Sequence, residues 1–359
     1  MLKIMSKVIV NEIDVVRAEK SRINDVDFSN IEFGREFTDH MFSCDFINGE
    51  WQTPKITPYK ALTLDPSARV FHYGQAVFEG MKAFKDDNDA VWLFRPEDNY
   101  HRINVSAVRL AMPEFPQDYF FKGLETLLNL DKKWVKKGDG NALYVRPFII
   151  ATEPAISAAP ADEYKFMIIC SPVKAYYKNK LNVLFAEKYS RSADGGVGFA
   201  KAAGNYAAQF YPTNLANQEG FHQIIWTDAS SHEYLEEAGT MNIFFRINDT
   251  LVTAPTNDRI LDGITRKSLI QLAEDNNIPV EIRRVSVKEI KIAATDGSLK
   301  EIFGTGTAAV VSPIAKFQHA NTLFEIPEQE HSYATIFKRK LMDIQYNIAE
   351  DQHGWRYKV

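Results

Sequence analysis

The chain has 359 residues, 45% hydrophobic and 25% charged, with a formal net charge of −5. That length suits two packed cores better than one, and the composition excludes disordered and fibrous classes. A mildly acidic chain with no basic block lacks the cationic surface that nucleic-acid binding requires.

Residues 1–50 read as an irregular extension leading into strands. Their start, MLKIMSKVIVNEIDVVRAEK, alternates apolar and charged residues and lacks the apolar centre of a signal peptide. No run approaches the ~20 apolar residues of a membrane span. The expectation is a soluble, cytoplasmic protein. VWLFR (91–95) reads as a strand, after which Pro96, Glu97 and Asp98 open a helix. Apolar positions at helical spacing predict a helix over 119–137, ended by Gly138. ALYVRPFIIAT (142–152) and KFMIICSPV (165–173) read as strands. The polar and aromatic run KAYYKNKL (174–181) reads as a linker, with the interdomain boundary placed at 175–182. It divides a small N-terminal α+β domain (1–174) from a larger mixed α/β domain (183–359). The second part holds predicted strands at 183–186, 222–228, 241–247 and 280–285. Helices are predicted at about 265–277 and at 333–350.

The two cysteines, Cys44 and Cys170, form no C-x-x-C pair. A disulfide scaffold or cysteine zinc site is therefore not indicated, and Cys170 reads as a buried, inert thiol. The eight histidines form no H-E-x-x-H or comparable metal cluster.

The most unusual segment is GGVGFAKAAGNYAAQ (195–209), where Lys201 stands alone among Gly and Ala. Desolvation there would lower its pKa and make it a nucleophile, although a loop lysine can also snorkel to solvent. In EEAGTMN (236–242), Glu236 reads as a solvated acid, whereas an inward carboxylate would suit the protonated ring nitrogen of a pyridoxal cofactor. LDGITRKSLIQLA (261–273) offers free N–H groups after Gly263, a natural anion site. FGTGTAAVVSP (303–313) lets backbone approach a ligand, though such a run is also a plain turn.

Together these segments resemble the branched-chain amino acid aminotransferases, which are fold type IV enzymes dependent on pyridoxal 5'-phosphate (PLP). The likeness runs from FGREFTDHM (33–41) through FHYGQAVFEGMKAF, LFRPEDN, ALYVRPF, SPVKAYY, GGVGFAKAAGNYA, EEAGTMN and LDGITRKSL to FGTGTAA, in the family's order. It implies a D-amino acid aminotransferase-like architecture of two domains, α+β then mixed α/β. It implies PLP bound covalently to Lys201, which then shuttles protons, with Tyr206 on the phenolate oxygen and Glu237 on the pyridine nitrogen. Arg95, Ile264, Thr265 and Thr307 would bind the phosphate, with Arg191 near the cofactor. Amides around Thr307 and Ala308, with Thr240, would take the substrate α-carboxylate. Phe33, Phe78, Tyr144, Tyr176 and Tyr73 would line the side-chain pocket, Tyr73 reaching in from the second subunit of a homodimer.

The implied reaction is a ping-pong transfer from leucine, isoleucine or valine to 2-oxoglutarate. Arg146 and phenol hydroxyls could hold the γ-carboxylate of glutamate. Without the resemblance, Arg146 reads as an arginine paired to an acid, and the aromatics as packing. Where mammalian members carry a redox C-x-x-C, this chain has Ala309 and Ser312, so that regulation should be absent. Rival readings are D-amino acid aminotransferase and aminodeoxychorismate lyase, which lack the FGREFTDHM stretch. A non-catalytic binding protein on the same scaffold is a further rival. Retention of Lys201, Tyr206, Glu237 and Arg95 argues against that last reading.

Overall fold

Runs rich in β-branched and aromatic residues favour extended backbone. In the computed structural model, which describes residues 13–174 and 179–359, two such runs form the centre of the first sheet. These are Ala142–Ala151 and Tyr164–Val173, paired antiparallel from Ala142↔Val173 to Ala151↔Tyr164. His40–Ile47 flanks Tyr164–Val173, and Met81–Lys85 flanks Ala142–Ala151. Beyond Met81–Lys85 comes Val91–Phe94, and the edge is the C-terminal strand Arg356–Lys358. The sheet therefore draws on residues 14–173 and on the end of the chain. Helices Pro96–Arg109 and Gln117–Leu130 bury Ile103, Phe120, Leu124 and Leu127 in the same cluster as Phe42 and Phe166.

In the second sheet, six strands close into a ring: Asn242–Ile247, Leu299–Gly306, Val310–His319, Leu181–Phe185, Gln223–Thr227 and Tyr234–Ala238. The closing pair is Glu237↔Asn242. Leu181–Phe185 runs parallel to both neighbours. A buried cluster containing Phe84 and Tyr144 from the first sheet and Phe244, Leu269, Phe303 and Phe337 from the second part joins the two. The architecture is thus mixed α/β with two sheets, as the sequence implies.

Several predicted boundaries move. The helix expected over 119–137 spans Gln117–Leu130. Asp131 is drawn into the core, where it accepts a hydrogen bond from the His40 N–H (3.1 Å) and its carboxylate meets His40 Nδ1 (2.7 Å). A 3₁₀ turn, Lys132–Trp134, then buries Trp134, whose indole donates to Asp39. The last helix spans Tyr333–Gln345 rather than 333–350. Tyr346 packs on Phe84, Asn347 turns at φ +60°, and the chain returns to the first sheet. The strand expected at 280–285 is two short ones, Val280–Ile282 and Val285–Ser286. Within the predicted linker, 175–178 lie outside the described residues, and with them Tyr176. Leu181 and Asn182 already belong to a strand.

Candidate active site

Lys201 is clamped by its own backbone. Its N–H donates to Ser106 Oγ (2.9 Å) on the helix Pro96–Arg109, and its carbonyl accepts from the Phe78 N–H (3.1 Å). Asn205 ties the preceding loop by donating to the carbonyls of Val197 and Ala200. The side chain thereby projects into a cavity of about 620 Å³ instead of into solvent. Its Nζ donates to Tyr206 Oη (3.0 Å) and lies 4.9 Å from the centre of the Phe78 ring. Lys201 is the one lysine among the described residues that line it.

Glu237 also lines this cavity. The ring closure of the second sheet places it opposite Asn242, whose amide donates to Oε2 (3.2 Å). Oε1 accepts from the Leu261 N–H (3.1 Å) and pairs with Arg191 (2.8 Å). Burial pushes the Glu237 carboxyl up to about 6, against the pull of Arg191, the Leu261 amide and Lys201. Its neighbour Glu236 points to the other side of the strand. The expectation of a solvated Glu236 is corrected: it is buried and bound by Arg259.

The phosphate-type anion site is built at the start of the helix Ile264–Asp275. The first helical bond of the turn is from the Lys267 N–H to the Gly263 carbonyl, which leaves the N–H groups of residues 264–266 without intrahelical partners. Gly263 is required because a Cβ there would sit 1.8 Å from Asn242 Oδ1. Ile264, Thr265, Thr307 and Ala308 all line the cavity, as does Thr240.

Arg95 does not. Its guanidinium is held by Asp98 (2.7 Å) and Ser268 (3.0 Å) and lies against Trp355, so its assignment to the phosphate is corrected. Arg102, two turns along the same helix, lines the cavity instead. It is paired doubly with the fully buried Glu79 and donates to the Asp262 carbonyl (3.0 Å). Helical spacing was the available signal, since Asn99, Arg102 and Ser106 share one face and all serve the site. Asn242 and Leu261 were likewise not singled out as binding residues.

The wall carries Phe33, Phe78, Tyr144 and Arg146, together with Phe148, Ile150 and Ile169. Among the described residues Arg146 has no acid partner. Its guanidinium lies over the rings of Phe78 (4.6 Å) and Tyr144 (5.2 Å) and donates to Tyr144 Oη (3.1 Å). Its Nε is buried and has no partner among the described residues. Tyr73 lies outside this chain's cavity, exposed, with its hydroxyl on the Ile156 carbonyl. The lining cations Arg102, Arg146, Arg191 and Lys201 face one lining acid, Glu237, so the cavity suits an anionic ligand with an apolar part.

The family model described as amino-transferase class IV matches residues 76–317. The chain is 42% identical over 361 residues to branched-chain-amino-acid transaminase 1 of Bacillus subtilis, covering 99% of this chain and 100% of that one. It is 44% identical to a probable branched-chain-amino-acid aminotransferase of Staphylococcus epidermidis, covering 93% and 94%. Among solved structures it superposes on the branched-chain aminotransferase of Thermoproteus uzoniensis with norvaline. The TM-score is 0.73 at 22% identity, over 88% of this chain and 98% of that one. The branched-chain amino acid aminotransferase of Thermobaculum terrenum in its PLP form gives 0.71 at 19% identity, over 90% and 99%.

Proposed function

This chain belongs to the class IV amino-transferases as a branched-chain amino acid aminotransferase, and on that premise we propose how its own residues divide the work. The enzyme moves the amino group of leucine, isoleucine or valine to 2-oxoglutarate, with PLP as cofactor. One observation carries the assignment of roles: Lys201 is the single lysine among the described residues lining the cavity, and a buried carboxylate, Glu237, lines it too.

The residues present fit PLP. A helix start with unspent N–H groups, Thr265, Thr307 and the Arg102 guanidinium form a cradle for a phosphate. Glu237, held by Arg191, Asn242 and the Leu261 amide, would pair with the ring nitrogen. PLP supplies the electron-withdrawing ring that acidifies the substrate's α-hydrogen and stores the amino group between half-reactions.

Lys201 Nζ takes the α-proton and later returns one; Tyr206 holds that nitrogen at 3.0 Å and offers its hydroxyl to the cofactor's phenolate oxygen. Phe33, Phe78 and Tyr144 exclude water and receive the branched side chain. Arg146, desolvated between two rings, binds the γ-carboxylate of glutamate. Thr240 and the amides near Thr307 and Ala308 receive the α-carboxylate.

The working unit is a homodimer in which Tyr73 of the partner subunit closes the pocket. In support, Phe71, Tyr73, Ile156, Phe210 and Tyr211 are all exposed, and Phe210 lines the cavity. The functional division is at 1–174 and 183–359. The protein works in the cytoplasm; no helix among the described residues is long and apolar enough to cross a membrane. A panel of amino donors with 2-oxoglutarate, read by oxo-acid formation, tests the reading. L-leucine, L-isoleucine and L-valine should be used, and D-alanine should not.

A further inference from the structure

Asp39 stands just before the strand His40–Ile47; it is buried and does not line the cavity. Its carboxylate gathers donors from separate parts of the chain. Ser21 Oγ (2.6 Å) and the Trp134 indole (2.8 Å) donate to Oδ2, and the Arg22 N–H donates to Oδ1 (2.8 Å). Burial pushes the Asp39 carboxyl up, but these donors outweigh it and hold it below the ordinary carboxylate value. The Arg22 guanidinium donates in turn to the carbonyls of Thr38 (2.7 Å) and Phe37 (3.2 Å). Arg22 and Phe37 also share one ring: the guanidinium lies 5.2 Å from the centre of Tyr59, and Phe37 stacks on it at 4.9 Å. His40 adds a further tie. The Ala18 N–H donates to His40 Nε2 (2.9 Å), so that nitrogen carries the lone pair and Nδ1 donates to Asp131.

These bonds bring residues 21 and 22 against residues 37–39 and close the chain between them into a surface loop of the Ω kind. The base is fastened to a buried acid, whereas residues 32–36 at the tip are all exposed. Gly34 makes the turn there at φ +72°. The residue before it, Phe33, lines the active-site cavity and meets the Tyr144 ring edge-on, with 4.9 Å between centres. Tyr144 Oη in turn accepts from Arg146. A segment whose ends are joined has fewer conformations than an open one of the same length, so the base restricts where Phe33 travels.

We propose that Asp39 is a positioning residue for substrate binding: by clasping residues 21 and 22 to the start of the strand, it holds the loop 23–37 in the form that sets Phe33 against Tyr144 and completes the apolar wall. Asp39 touches no substrate and acts through Phe33. This rests on the transaminase reading of the cavity, in which Phe33 receives the branched side chain.

The test uses the PLP-loaded enzyme and Asp39→Ala, Arg22→Ala, Phe33→Ala and the double variant Asp39→Ala/Phe33→Ala. Asp39→Ala leaves the buried Trp134 N–H without its acceptor and should lower Tm. Arg22 is exposed, so Arg22→Ala loosens the clasp without opening the core. Hydrogen exchange in peptides within 23–37 should quicken at least ~ten-fold in Asp39→Ala and by less in Arg22→Ala. KM for leucine should rise about ten-fold in Asp39→Ala and in Phe33→Ala, the worth of one packed aromatic contact. It should rise a few-fold in Arg22→Ala, and kcat should stay within about three-fold throughout. The double variant should match Phe33→Ala within about two-fold, because the same contact is lost only once. Losses that multiply in the double variant overturn the proposal, since Asp39 would then act on the fold and not through Phe33. Unchanged exchange in both clasp variants overturns it too, as does quickened exchange with KM unchanged. If Phe33→Ala itself leaves KM for leucine unchanged, the reading of the wall falls, and the proposal with it.

Discussion

Arg191 Nη1 lies 2.8 Å from Glu237 Oε1, and both side chains are buried. This pair sets the character of the acid. Burial alone would keep Glu237 protonated, while the guanidinium and the Leu261 amide favour the anion. The result is a carboxylate that is charged at neutral pH yet close to titrating. Arg191 also donates to the carbonyls of Gly198 and Arg259. It thereby links the acid to the loop that delivers Lys201.

That balance has a pH signature. The Glu237 pKa is raised from 4.5 to about 6, so the folded apoenzyme holds this proton more tightly than the unfolded chain. The group's stabilising contribution is full below pH 4.5 and is lost as pH rises through about 6. Cofactor capture has the opposite dependence, since it needs the anion. The rate of PLP uptake by apoenzyme should fall as pH drops through about 6. Glu237→Gln should lower the rate and flatten that limb. A limb that survives in the variant belongs to another group.

The two arginines of the LFRPEDNYHR segment should separate cleanly. Arg102→Ala removes a cavity cation and strands the buried Glu79, which costs about 3–5 kcal/mol of stability. PLP affinity, titrated into apoenzyme, should fall at least ~10-fold with the loss of a charge-assisted bond. Arg95→Ala should leave PLP affinity within about two-fold, since Asp98 and Ser268 hold its side chain away from the cavity. The reverse order would restore Arg95 to the phosphate site.

Arg146→Met should harm the two half-reactions unequally. Leucine needs apolar wall, which methionine keeps; glutamate needs the cation. Single-turnover rates should fall about 100-fold with glutamate, as for a lost charge-assisted contact of about 3 kcal/mol, and only a few-fold with leucine. Equal losses would mean that the γ-carboxylate is bound elsewhere.

Gly263→Ala tests the support behind Glu237. The added Cβ would sit 1.8 Å from Asn242 Oδ1, so the amide that holds Oε2 must move. Destabilisation of about 1–3 kcal/mol is expected from overpacking, together with weaker PLP binding. Thermal unfolding with and without PLP measures both. An unchanged Tm would show that the turn relaxes freely.

Much of this site was legible because chemistry-bearing residues stood out against small ones: Lys201 in a Gly/Ala run, and Gly263 before a helix. The long strands were legible from composition alone. What escaped depended on partners distant in sequence. The helix after Gln117 stops early because His40, 91 residues away, captures Asp131. Glu236 reads as solvated until the fold brings Arg259 to it. Arg95 caps the helix from outside it at φ +51°, held by Asp98 and Ser268, whereas Arg102 lies inside it beside Glu79, and the motif alone does not distinguish the two. The closing pair Glu237↔Asn242 cannot be seen until the ring of strands is built.

Borohydride trapping of the resting enzyme, followed by peptide mass mapping, bears most directly on the role of Lys201. The account predicts a reduced pyridoxyl group on the peptide spanning GFAKAAGNY, at residue 201, in near-stoichiometric yield. A label on any other lysine, or an enzyme that transaminates leucine without one, contradicts it.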